Sequence, residues 1–240
     1  MTQQKNIFER KKFKGPIPEN YKLYIDADCV QRNNIRSVLN IAALNSIPSI
    51  PINQVTTLYN DIETSVYIPL IYYTKNETFY TIPAGLNEGE KTFVEDLTSF
   101  LSKQQTINNI PLNSYEFFLY RNPVRSGYGF YVLNELVFPD FVLWLRKKTD
   151  NASDLTVVYI EPHGLVHADP NYDPKINFPK YINDFGNKIA GLKTFAFIIS
   201  VTPMNKLNWR NTNKSQLEKD GILFQNESGY IRKILEKIIH

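Results

Sequence analysis

The sequence predicts a mixed α/β (α+β) fold whose centre is a pair of buried strands between two helices. Two apolar runs rich in β-branched and aromatic residues, 138–145 and 156–164, flank a short charged segment, which is typical of a β-hairpin. One amphipathic helix is predicted over 86–101, and a second, over 173–189, precedes a final apolar strand at 195–200. With a strand at 115–120, the predicted order from residue 86 is helix, strand, strand, strand, helix, strand.

The composition is that of a globular protein with a substantial core. The chain has 240 residues, of which 42% are hydrophobic, and it contains 15 Tyr and 15 Phe. The formal charge of +3 permits nucleic-acid binding without requiring it. The single cysteine, Cys29, excludes an internal disulfide framework and indicates a reducing compartment. No apolar run reaches the ~18 residues of a membrane span and the N-terminus is not a signal peptide, so we expect a cytoplasmic protein without a membrane partner.

We divide the chain into three regions. Residues 1–82 are predicted to be a basic arm followed by an accessory α+β region, 83–204 the core, and 205–240 a helical tail with its helix at 230–239. In the first region a strand at 21–25 leads into Asp26-Ala27-Asp28, which could hold a metal ion, or Asp28 could cap a helix over 30–44. Strands at 64–73 and 78–82 are predicted to form a hairpin around 75–77.

Two carboxylates stand out in the core. Asp140 opens one predicted strand and Glu161 ends the next, and in an antiparallel hairpin these two positions are neighbours. Adjacent carboxylates are ligands that Mg²⁺ prefers, and a metal ion held there could activate water for phosphoryl chemistry. The structural alternative is that Asp140 is a turn residue and that Glu161, before Pro162, only ends a strand.

A third carboxylate, Glu90, lies in the first turn of the helix predicted over 86–101. Asn87 is the expected N-cap of that helix, and Glu90 stands at its third helical position, as in a capping box.

The order of these elements and motifs resembles the PD-(D/E)XK nuclease superfamily, in which Pro-Asp is followed, after a spacer, by Asp or Glu, any residue, and Lys. Pro139-Asp140 and Glu161-Pro162-His163 match that pattern in part. Within the superfamily the chain is most similar to the C-terminal endonuclease domain of type III restriction-enzyme helicase subunits, over about 86–202. Neither a helicase motif nor a GxxxxGK[ST] motif occurs, so the chain is expected to be a stand-alone nuclease or the nuclease part of a helicase-nuclease.

The resemblance implies a restriction-endonuclease-like core with Asp140 and Glu161 as metal-binding carboxylates and Glu90 as a third ligand. The implied cofactor is Mg²⁺, for which Mn²⁺ could substitute. His163 stands where the family has Lys; it could position water, act as general base or stabilise charge, or it could be a turn residue before Gly164. The missing cation could come from the following helix, from Lys180 or Lys175.

Basic residues on neighbouring loops are candidate phosphate contacts. These are Arg121, Arg125 and Lys147. Tyr181 is expected to pack either against the site or in the core.

The sequence therefore leads to one main functional hypothesis, a metal-dependent DNA endonuclease in restriction or phage defence. Helicase or methyltransferase subunits of a restriction system are its expected partners, and cutting both strands would favour a homodimer. The alternatives are a catalytically degenerate nuclease fold that binds nucleic acid or docks a partner, and a phosphodiesterase acting on RNA or nucleotides at the same site.

Overall fold

A computed structural model describes most of the chain from residue 84 onward and short strands before it. The described ranges are 22–25, 51–52, 55–58, 65–66, 70–73, 79–82, 84–103, 105–122, 127–148, 155–185, 192–209 and 213–239. The chain divides into two compact units, Met1–Lys91 and Thr92–His240, and each is considered by itself. The predicted basic arm, Asp26-Ala27-Asp28, the helix predicted over 30–44 and Arg125 lie outside the described residues.

The first unit contains short strands. In chain order they are β1 (Lys22–Ile25), β2 (Pro51–Ile52), β3 (Val55–Leu58), β4 (Ser65–Val66), β5 (Leu70–Tyr73) and β6 (Phe79–Ile82). The hairpin predicted around 75–77 is wrong, because β5 pairs with β3 and β6 pairs with β1. Both β5 and β6 thus pair over all four of their residues with a strand that lies earlier in the chain.

The second unit holds the longer elements. In chain order they are α1 (Glu88–Ser102, which begins in the first unit), β7 (Thr106–Ile107), β8 (Ile110–Pro111), a 3₁₀ turn (Leu112–Ser114), β9 (Tyr115–Arg121), β10 (Phe130–Val132), β11 (Glu135–Val137), β12 (Phe141–Lys147), β13 (Leu155–His163), α2 (Pro174–Phe185), β14 (Leu192–Ser200), a second 3₁₀ turn (Met204–Lys206), α3 (Lys214–Lys219), β15 (Ile222–Phe224) and α4 (Tyr230–Ile238). None of the described helices is long and apolar enough to cross a membrane.

Five strands of this unit form one mixed sheet in the order β15-β14-β13-β12-β9. The strand β12 is antiparallel to β9 and β13, whereas β14 is parallel to β13 and β15. The predicted mixed α/β class is thus confirmed. The tail contains α4 (Tyr230–Ile238), close to the helix predicted at 230–239, and also β15, which was not predicted and adds a fifth strand to the sheet. The three residues of β15 are buried but too few to show a period-2 pattern.

The sheet is covered on both faces. Val142 of β12 pairs with Tyr159 of β13, and both pack with Phe178 of α2, so we call this side the α2 face. On the opposite face, Phe141 lies with its ring centroid 5.4 Å from that of Phe93 in α1. Side chains alternate between faces along a strand, so residues at even positions of β12 belong to the α2 face.

The β10–β11 hairpin also packs on the α2 face. Val132 and Val137 are 1% and 2% exposed and belong to the same core cluster as Phe178. The turn residues Leu133 and Asn134 have φ values of 49° and 66°, and a two-residue type I′ turn requires positive φ at both positions.

Candidate functional site

The hairpin formed by β12 and β13 brings Asp140 and Glu161 together. Phe141 pairs with Ile160, so Asp140, one residue earlier, lies opposite Glu161, one residue later. The backbone N–H of Asp140 donates to Glu161 Oε2 at 3.0 Å. The adjacency predicted from the sequence is therefore present, at the edge of the sheet where β13 ends.

Glu161 is a buried carboxylate with partners on both oxygens. Its side chain is 1% exposed; Oε2 accepts from Asp140, and Oε1 forms an ion pair with Lys175 Nζ. Burying a charged group without a partner costs several kcal/mol, so the ammonium compensates the carboxylate. Lys175 is in the first turn of α2, where the side chain of Asp173 accepts from the Lys175 backbone N–H at 2.8 Å. Pro174, with no N–H to satisfy, suits this first turn.

Lys175 carries a positive charge at this site. Burial acts to lower the pKa of Lys175, but attraction to Glu161, the hydrogen bond to Glu161, and attraction to Asp140 and Asp173 together raise that pKa above its ordinary value. Asp140 is next to Glu161, since its backbone N–H donates to Glu161 Oε2. Two carboxylates and one cation thus converge at the start of α2.

His163 follows Glu161 by two residues on β13 and therefore belongs to the same face of the sheet. Its Nδ1 lies 3.7 Å from Glu161 Oε1, and its side chain is 31% exposed. Burial and, next, the charge of Lys175 lower the pKa of His163, and attraction to Glu161 and Asp173 offsets this only in part. The imidazole is therefore neutral at pH 7 and has a lone pair that can accept a proton.

The charge of Lys175 gives a testable pH effect. In metal-free protein, the pKa of His163 should lie below 6.5 and should rise in Lys175→Met, because the ammonium that opposes protonation is gone while Glu161 remains. Since the folded-state pKa is below the unfolded one, the stability contribution of His163 is complete above pH 6.5 and is lost as the pH falls through the folded pKa. NMR titration of the imidazole protons checks both values; Lys180→Met is the control, and a lower pKa in Lys175→Met would contradict the geometry.

The structure places Lys175, rather than Lys180, against Glu161. Lys180 is exposed and lies five residues further along α2, about 140° around the helix axis. Tyr181 is 38% exposed and is not part of the core.

Glu90 forms the predicted capping box at the start of α1. The Glu90 backbone N–H donates to Asn87 Oδ1 at 2.9 Å, and the Asn87 backbone N–H donates to Glu90 Oε2 at 3.0 Å. Glu90 belongs to the first unit and Asp140 and Glu161 to the second, so its role as a third ligand stays a prediction. Within the described ranges, no group of three or more His, Cys, Asp or Glu side chains is arranged to hold a metal ion.

The predicted phosphate contacts are spread over the sheet. Arg121, the last residue of β9, pairs with Phe141 and so belongs to the face opposite Glu161. Lys147 ends β12, about 24 Å along an extended strand from Asp140. Arg125 lies outside the described residues, so its predicted role is not addressed by the structure.

Asn122 is a buried residue of the site region that sequence reasoning gave no role. Its side chain accepts from the Tyr128 backbone N–H at 2.7 Å and donates to the Tyr128 and Pro139 carbonyls, both at 2.8 Å. Its own backbone N–H donates to the Asp140 carbonyl at 2.8 Å. Asn122 therefore joins the segment around Tyr128 to the segment that enters β12 at Asp140. A short-range pattern could not reveal this, because Pro139 and Asp140 are distant in sequence.

Removal of this amide should destabilise the protein. In Asn122→Ala, the Tyr128 N–H and two carbonyls lose their partners, and we expect a loss of about 2–3 kcal/mol in the free energy of unfolding. Urea denaturation measures it. The matched control is Asn134→Gly, an exposed asparagine with positive φ, which should change stability by a few tenths of a kcal/mol at most. Equal stability of the two variants would show that the Asn122 hydrogen bonds do not stabilise the fold.

No protein-family model, curated protein or solved structure matches the chain. Function is therefore inferred from the side chains gathered at the end of β13.

Proposed function

We propose that this protein is a metal-dependent DNA endonuclease with a restriction-endonuclease-like core, serving restriction or phage defence. The observation that carries the proposal is the convergence of Asp140, Glu161 and the Lys175 ammonium at one edge of the sheet. The resemblance of the Pro139-Asp140 and Glu161-Pro162-His163 motifs to the PD-(D/E)XK superfamily supports it. So does the mixed sheet, in which these motifs stand on adjacent antiparallel strands.

The residues present fit a divalent cation of the Mg²⁺ or Mn²⁺ type. Carboxylate oxygens are hard donors, which these ions prefer. The buried Glu161 already attracts one cation, Lys175, and Asp140 adds a second carboxylate within reach of the same charge. Asp140 and Glu161 would hold the ion, which when bound lowers the pKa of a water molecule and stabilises charge on a phosphoryl group.

Lys175 takes the role that the family gives to the lysine at the position of His163. Its ammonium has three N–H donors, and its side chain is 39% exposed, so it can donate to a phosphate oxygen as well as to Glu161. A permanent cation at this point stabilises negative charge that develops on the phosphate. His163, neutral at pH 7 and 3.7 Å from Glu161 Oε1, would accept a proton from the attacking water.

The test is cleavage of supercoiled plasmid with Mg²⁺, with Mn²⁺ and with EDTA, wild type beside Asp140→Asn. Nicking or linearisation that needs the ion and is lost in the variant is the expected result. Equal cleavage by wild type and Asp140→Asn would overturn the assignment. Lys175→Ala and Lys180→Ala in the same assay decide which lysine serves the site: loss only in Lys175→Ala agrees with the geometry.

A second candidate function is a nuclease fold retained for nucleic-acid binding alone. It is favoured by the fact that both oxygens of Glu161 have partners within the protein, so the carboxylate is satisfied without an ion. A gel shift with the same DNA separates the two. Binding without cleavage in any divalent ion, and after addition of candidate helicase or methyltransferase subunits, would favour the binding module.

A further inference from the structure

Tyr128 has a half-exposed side chain on a backbone that is held by hydrogen bonds. Tyr128 is 49% exposed and lies just before β10, on the α2 face of the sheet. Its backbone carbonyl and the Pro139 carbonyl accept from the same Asn122 amide nitrogen. The two carbonyls are thus no more than two hydrogen-bond lengths apart, so the backbone of Tyr128 lies near the segment that enters β12 at Asp140.

The backbone at Tyr128 is fixed in position. Asn122 binds both its N–H and its carbonyl. The next residue, Gly129, packs so closely that a Cβ there would lie 2.7 Å from the ring of Phe138. The segment is therefore held by an amide on one side and by an aromatic ring on the other, and little conformational freedom would be lost on binding a ligand.

The ring of Tyr128 lies on other aromatic rings. Its centroid is 6.2 Å from that of Trp144, at an interplanar angle of 70°, and 6.3 Å from that of Tyr159. Burial, and then the nearby Tyr128, raise the pKa of both Tyr159 and Tyr120, so both hydroxyls stay uncharged near neutral pH. The rings around that of Tyr128 are thus aromatic and uncharged near neutral pH.

We propose that Tyr128 is a stacking platform for an unpaired base of the nucleic-acid substrate, near the phosphate bound at Asp140 and Glu161. This inference rests on the proposed nuclease function and narrows its substrate to DNA that has single-stranded character near the cut. An aromatic ring stacks on the face of a base only when that face is free, and each such contact contributes substantially to binding of single strands without reading their sequence. The ring itself packs on Trp144, which is four residues, or about 13 Å, along β12 from Asp140, so we expect the stacked base to lie about two nucleotides from the bound phosphate.

Binding measured without cleavage tests the inference. A fluorescein-labelled single-stranded oligonucleotide and the corresponding duplex are titrated with protein in EDTA, and anisotropy gives Kd. We expect Tyr128→Ala to weaken single-strand binding about ten- to hundredfold and duplex binding less than threefold, and Tyr128→Phe to retain wild-type affinity. The matched control is Tyr131→Ala, which removes a 77% exposed tyrosine from the outward side of the β10–β11 hairpin and should bind like wild type.

Several results would contradict the inference. Unchanged single-strand affinity in Tyr128→Ala, equal weakening for duplex, equal weakening in Tyr131→Ala, or no DNA binding by wild type would each overturn the platform. Wild-type cleavage of plasmid together with unchanged binding by Tyr128→Ala would overturn only this inference and leave the nuclease function. Tyr128-dependent binding with no cleavage in any ion would overturn the catalytic assignment instead. The duplex titration separates loss of stacking from loss of folding, because an unfolded Tyr128→Ala would bind neither DNA, and Tyr128→Phe shows that the ring, rather than the hydroxyl, is what binds.

Discussion

Glu161→Gln is expected to lower the rate of DNA cleavage about a thousandfold, because an ion that polarises the phosphoryl group contributes several kcal/mol and each 1.4 kcal/mol is a factor of ten. Glutamine keeps the shape of the side chain and an oxygen to accept from the Asp140 N–H, but it removes the charge that would bind the ion. It also presents an N–H₂ group to Lys175. The Lys175 side chain is 39% exposed and can turn to water, so the variant should fold. Single-turnover cleavage of plasmid at saturating protein measures the rate.

The matched control for this variant is Glu116→Gln. Glu116 lies at the other end of the sheet, is 17% exposed, and accepts from Arg146 Nε at 2.8 Å, so it is also a shielded, ion-paired carboxylate. Glu116→Gln should cleave at the wild-type rate. If Glu161→Gln keeps more than a tenth of wild-type activity, or if both variants lose activity equally, then Glu161 is not part of a catalytic site.

Phe178→Ala should lower the free energy of unfolding by about 3–5 kcal/mol, the usual cost of removing a fully buried aromatic ring. Phe178 is 0% exposed, and its ring centroid lies 5.4 Å from that of Phe130 and 6.4 Å from that of Tyr159. It therefore joins α2 to both the β10–β11 hairpin and β13. Because α2 also carries Lys175, the cavity should loosen the support of the candidate site. Urea denaturation followed by tryptophan fluorescence gives the value.

Two further variants serve as controls for the Phe178→Ala measurement. Phe178→Leu keeps most of the apolar volume and should lose clearly less than Phe178→Ala, about 1–1.5 kcal/mol. Tyr172→Ala removes an aromatic ring that is 78% exposed and should change stability by no more than about 0.5 kcal/mol. A cost below 1 kcal/mol for Phe178→Ala would contradict the packing of α2 on the sheet.

The part of the site that the sequence could predict is the part set by local pattern. Two apolar runs with a polar turn between them define an antiparallel hairpin, and the hairpin alone makes Asp140 and Glu161 neighbours. The capping box of Asn87 and Glu90 is local in the same way, since its members are three residues apart.

The parts that failed depend on distant contacts. Which lysine of α2 reaches Glu161 depends on the rotation of the helix against the sheet, which the sequence does not specify. Asn122 gains its role from Tyr128 and Pro139, and no periodic pattern connects it to Pro139. The strand β15 is too short for alternation to identify, and it is specified by pairing with β14.

The mixed direction of the strands around β13 has a consequence for the order of folding. The carboxylate pair belongs to one hairpin, whose two strands are separated by a short loop, so the chain entropy lost in bringing them together is small. The parallel pairing of β13 with β14 requires a crossover, and α2 with Lys175 is that crossover. We therefore expect the acidic half of the site to assemble early, as a local unit of low contact order, and its compensating cation to arrive only when β14 docks. Between these two steps, water still reaches Glu161. The free-energy cost of burying the Glu161 charge therefore belongs to the second step, in which α2 and β14 dock on β13.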